Sequence, residues 1–151
     1  MTVGSDGKRV ADYAPEDAAL LCAVGRLVCG WTMLEQGLEA RIATLREGMG
    51  SIRTIGARTR PTMARLMTEL RTMVAIRDRR NADALTRIAE IERDMQRIDR
   101  FRALIIDGFR APATDGFTCC DQRNNIQHIS LDKLDTEIAA LEEVAQRLLA
   151  V

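Results

Sequence analysis

Residues 81–108, NADALTRIAEIERDMQRIDRFRALIIDG, decide the fold. Leu85, Ile88, Ile91, Met95, Ile98, Phe101 and Ile105 follow one another at steps of three or four, with charged residues filling the intervals. That period places every apolar side chain on one side of an α-helix and the charges on the other. Asn81 is a suitable N-cap, because its side-chain oxygen can accept an orphan N–H of the first turn. Gly108 stands where a helix-terminating glycine belongs. A helix of this length with one apolar stripe must bury the stripe against something, so its partners are to be sought on either side in the chain.

Toward the N-terminus, Leu20, Val24, Leu27, Trp31, Leu34, Leu38, Ile42 and Leu45 give a second stripe, from a first turn at Pro15, Glu16 and Asp17 to the stop at Gly48 and Gly50. Trp31 lies in register with Leu27, Leu34 and Leu38 and is expected in the core rather than against a ligand. Thr59 and Pro61 open a shorter helix with Met63, Leu66, Met67, Leu70, Met73 and Val74, ending around Asp78 to Arg80. Toward the C-terminus, Pro112, Thr114, Asp115 and Gly116 break the chain, and residues 109–129 lack a helical period, so a loop or short hairpin is expected there. Ser130 caps a last helix whose seam is Leu131, Leu134, Ile138, Leu141, Val144 or Ala145, and Leu148. These elements predict an all-α protein: a four-helix bundle with a loop or short hairpin before the last helix, over residues 14–151. Residues 1–13 have no period and are expected to form a flexible arm. There is no repeat of solenoid length.

The chain of 151 residues has 46% apolar residues, and its aromatics are Trp31, Tyr13, Phe101, Phe109 and Phe117. Its length suits one domain with its own core. Formal net charge is zero, but residues 41–102 carry 15 Arg against 8 acids, leaving an acidic remainder. Arg53, Arg58 and Arg60, between the first two helices, are the best local candidates for phosphate contact, with Arg77, Arg79 and Arg80 a second cluster. The alternative for both clusters is a solvated, internally paired surface. No stretch of 18 or more apolar residues and no apolar leader is found, which leads to the expectation of a cytoplasmic protein that does not engage a membrane. Cys22 and Cys29, seven apart on one helical face, and the adjacent Cys119 and Cys120 fit reduced thiols. Cys119, Cys120 and His128 do not have the spacing of a zinc site, and no metal or cofactor is expected. Nothing resembles a phosphate-binding glycine loop or a nucleophile elbow, which disfavours nucleotide hydrolysis and acyl transfer.

His128 is the sole histidine and stands five residues after Arg123 in RNNIQH, residues 123–128. An imidazole that titrates near neutrality beside a permanent cation can serve phosphodiester chemistry. Arg123, Asn124 and His128, with the helical bundle, resemble the HEPN superfamily, whose signature is Arg, a polar residue, three variable residues and His. The resemblance implies a homodimer that cleaves RNA without a metal where two motifs meet. His128 would then be the general base on a ribose 2′-hydroxyl, Arg123 would stabilise the phosphorane, and Asn124 would orient one of them. A second register of the same resemblance uses Trp31, Leu34 and Glu35, followed by Arg102 to Gly108. There Arg102 and Gly108 keep their places, while Ala103 and Asp107 stand for the Asn and His, which implies a degenerate site.

Two functions follow. One is a metal-independent endoribonuclease or RNA-binding protein of toxin or defence type. The other is a catalytically silent helical interaction or scaffold protein with a protein partner such as an antitoxin. A homodimer is expected in either case, because long apolar seams in a chain of this size leave surface for a partner.

Overall fold

A computed structural model describes residues 17–50 and 61–151. The expected N-terminal arm, Pro15, Glu16, and the candidate phosphate contacts Arg53, Arg58 and Arg60 lie outside the described residues. The element order is α1 (Ala18–Gly48), α2 (Met63–Arg77), α3 (Ala82–Gly108), β1 (Phe109–Ala113), β2 (Gly116–Cys120), β3 (Ile126–Ser130) and α4 (Leu131–Leu149).

The helices begin where short polar side chains satisfy first-turn donors. Asn81 accepts from the Ala84 N–H at 3.2 Å and Ser130 from the Lys133 N–H at 3.1 Å, as the sequence predicts. For α2 the cap is Thr62, whose hydroxyl accepts from the Arg65 N–H, rather than Thr59, and the helix closes at Arg77 with Asp78 as its C-cap. The apolar stripes converge on one core: Leu27 and Trp31 of α1, Leu66 and Leu70 of α2, Ile88 and Ile98 of α3, and Leu134 and Leu141 of α4 are all buried. α1 packs on α4 and α2, and α3 packs on the same two helices, which is the bundle the periodicity requires.

The all-α expectation needs correction at residues 109–130. The segment is a three-stranded antiparallel sheet in the order β1-β2-β3, laid against the ends of α3 and α4. Its central strand alternates, with Phe117 and Cys119 fully buried while Thr118 and Cys120 face outward, and Ile129 pairs with Phe117. Five-residue strands carry too few inward positions for a period to stand out, and Pro112 is tolerated because β1 is an edge strand. The turns use Asp115 and Asn124 at φ values of 58° and 62°; both residue types tolerate the left-handed region better than most.

Gly108 and Gly116 are fixed by close approach. A Cβ at Gly108 would lie 2.2 Å from the Cys120 carbonyl oxygen, and one at Gly116 would lie 2.0 Å from that of Ile129. The helix ends at Gly108 as expected, and the missing side chain there also lets β2 cross the end of α3. The chain passes directly into β1 at Phe109, whose ring stacks on Phe117 with centroids 5.5 Å apart.

Candidate functional site and an apolar groove

Arg123, Asn124 and His128 lie on the β2–β3 hairpin, not on a helix. His128 sits within β3, opposite Thr118 on the solvent face of the sheet, with Nε2 3.1 Å from the Thr114 carbonyl oxygen. The last ladder pair is Cys120 with Ile126, so about 7 Å of strand separates His128 from the hairpin end. Arg123 stands beyond that end, in the turn. The structure does not bring the Arg123 and His128 side chains together within one chain.

The turn has its own account. The Asp121 carboxylate accepts from the backbone N–H groups of Arg123 (2.8 Å) and Asn125 (2.9 Å) and from Gln127 Nε2 (3.2 Å). The Asn125 N–H, followed by those other donors, holds the Asp121 carboxyl below its ordinary pKa, because hydrogen bonds to the carboxylate favour the charged form. Asn124 supplies the left-handed backbone conformation that closes the turn. This is the chemistry of a hairpin turn, to which Arg123 contributes its N–H and Asn124 its backbone conformation.

The second register fares similarly. Arg102 lies with its guanidinium carbon 5.0 Å from the Trp31 ring centroid and donates to Asp99 Oδ1 at 3.2 Å. It covers the buried indole. Asp107 is exposed five residues later on α3, so the two side chains leave the helix about 140° apart. Leu34 joins Trp31 in the core. Arg77 is paired with Asp78 at 2.9 Å.

The cysteines divide. Cys119 is buried, and burial raises its thiol pKa; Cys120 is half-buried. Cys22 and Cys29 do share a helical face, but that face is solvent-exposed rather than part of the core. Among the described residues, no three His, Cys, Asp or Glu side chains gather as a metal site would require.

What the sequence reasoning missed is a groove of about 490 Å³ between α1 and α4. Cys29, Gly30, Met33, Gly37, Leu141 and Ala145 line it, and Arg26 pairs with Glu142 across its rim at 3.3 Å. Gly30 permits this helix approach, since a Cβ there would meet Leu141 Cδ2 at 3.2 Å, whereas a Cβ at Gly37 would meet nothing within 4 Å. Met33 is 69% exposed and Leu149 is 74% exposed at the groove's lip. The exposed positions of α1 between Ala18 and Met33 include a single charge, Arg26. Over 18 residues α1 is apolar enough, by length and composition, to cross a membrane, yet only 28% of that window is buried in the fold. The signal was present: Leu21, Cys22, Val28, Cys29 and Met33 fall off the core stripe, and a helix apolar all round calls for cover all round.

Comparison of the chain with protein-family models, with curated proteins and with solved structures gives no match.

Proposed function

We propose that the protein is a catalytically silent helical interaction module whose working surface is the face formed by α1 and α4. The observation that carries this reading is the exposed, nearly uncharged side of α1 running into a groove floored by small residues. Exposed apolar surface of this continuity marks a contact site in a folded domain, and a groove between two helices suits an apolar helix laid into it. Support also comes from the hairpin. Arg123 and Asn124 serve the turn, His128 lies apart from them on the ladder, and a nucleolytic site would have to be completed from another molecule.

Two experiments test the reading. Mixed-sequence single-stranded RNA incubated with the protein in EDTA is expected to stay intact with wild type and with His128→Ala. Cleavage by wild type alone, leaving 2′,3′-cyclic phosphate ends, would replace the interaction reading with a metal-free ribonuclease that uses His128. A synthetic amphipathic helix with a leucine face is expected to bind wild type by fluorescence anisotropy, and Gly37→Leu, which fills the groove, is expected to abolish that binding.

A further inference from the structure

Resting on the interaction reading, we infer that the groove takes an α-helix of a partner protein whose apolar face carries one carboxylate, and that Arg41 receives this carboxylate. Three charged residues line the groove: Arg26, Arg41 and Glu142. Arg26 and Glu142 pair with each other at one end. Arg41 follows 15 residues later on α1, which sets it about 22 Å away at the other end. The walls between are apolar, from Gly30, Met33 and Gly37 on α1 to Leu141, Ala145 and Leu148 on α4. That span is about four helical turns. Met33 and Leu149 stand at the lip, 69% and 74% exposed. A helix about 10 Å across covers both as it lies over the floor, whereas a single acyl chain along the floor leaves them in water.

Charge assigns the carboxylate. Among the described residues, three arginines hold a buried Nε without an acceptor: Arg41, Arg102 and Arg147. Asp99 meets the guanidinium of Arg102, and Asp94 meets that of Arg147. Arg41 instead donates through Nη2 to the Val151 carbonyl oxygen, with no carboxylate beside it among the described residues. Its neighbours three and four residues away on α1 are Gly37, Leu38, Thr44 and Leu45, and residues 146–149 of α4 include no acid. Glu39 and Glu35 leave α1 about 160° and 120° round from it. A cation half withdrawn from water at the end of an apolar groove is matched by an incoming carboxylate, to which a guanidinium offers directed N–H donors. Because Arg26 and Glu142 neutralise one another, a single acid on the partner is sufficient.

The test is fluorescence anisotropy of the full chain with three labelled, leucine-faced helical peptides. One carries Glu in its first turn, one carries Glu in its last turn, and one carries Gln at both places, so that either direction of the helix in the groove is sampled. One of the two Glu peptides is expected to bind wild type about tenfold more tightly than the Gln peptide, as a charge-assisted hydrogen bond provides. In Arg41→Gln that advantage is expected to vanish, with circular dichroism and a cooperative melt showing that the variant is folded. The comparison of peptides on wild type needs no variant, so it decides the matter even if Arg41→Gln unfolds. Glu peptides that both bind wild type within about twofold of the Gln peptide overturn the inference and leave the interaction reading standing; if none of the three binds, both fall. An advantage that survives in Arg41→Gln arises from the peptide's own helicity and also overturns it. Submicellar dodecanoate that displaces the Glu peptide from wild type but not from Arg41→Gln would give the site to a long-chain carboxylate and overturn the helix as occupant.

Discussion

The two sides of the bundle obey different rules. On the α1 side, nine exposed positions between Ala18 and Met33 hold one charge; on α3, eleven exposed positions between Ala82 and Arg100 hold seven. The charged side is laced by Arg71 with Glu92, and Arg147 of α4 reaches Asp94. Such exposed pairs add little stability, but they leave a surface content in water. On α1, Arg26 pairs with Glu142 beside the groove and Arg46 with Glu69 near the C-terminal end. The difference teaches that the same amphipathic period can end in a finished surface or in an unfinished one, and that the finish depends on what occupies positions off the core stripe.

The largest expected effect lies beneath both sides. Trp31 is 2% exposed and roofed by Arg102 from α3; Trp31→Ala is expected to cost about 3–5 kcal/mol in urea unfolding. A smaller cost would mean that the α1 side is loosely packed as well as bare. Next comes the strap between α3 and α4, where the buried Glu137 accepts from Arg97 at 2.7 and 2.8 Å and from Lys133 at 3.0 Å. Arg97 is about half exposed, so Arg97→Ala is expected to cost about 1–2 kcal/mol, below the range of a fully buried charged pair. Glu137→Leu should cost less than Arg97→Ala, since it removes the buried charge instead of stranding it. By contrast, Arg71→Ala on the laced surface is expected to change unfolding by about 0–1 kcal/mol. A larger value there would overturn the view that the lacing is mainly a matter of solubility.

The smallest effect is confined to the hairpin. The Asp121 carboxyl is held below its unfolded pKa, so its contribution is present above the unfolded value and fades as pH falls through the lower folded value. Acid titration should move the amide resonances of Arg123 and Asn125 together, with Asp121→Asn abolishing the shared transition. Amides that titrate separately would show that the carboxylate does not organise the turn.

Most of the helical fold was legible because burial repeats every three or four residues for many turns. Asn81 and Ser130 act as the caps their chemistry suggested, and Trp31 lies among Leu27, Leu34 and Leu38. The sheet was not legible, since its inward set is little more than Phe117, Cys119 and Ile129. Gly108 could be recognised as special, but the strand crossing that makes it so lies 12 residues away at Cys120. The Arg123 to His128 string stands out as chemistry, whereas its turn depends on the Asn124 backbone and on an acceptor outside it, Asp121, two residues before Arg123.

By itself, the sequence determined the four helices, the Asn81 and Ser130 caps and the inward faces, because the helix repeat couples neighbours three and four residues apart and needs no distant partner. Only the tertiary structure decided that β2 lies between β1 and β3, that Arg102 covers Trp31, and that small residues of α1 and α4 meet to leave a groove. Those outcomes depend on which surfaces come together across the chain, and no local period carries that information.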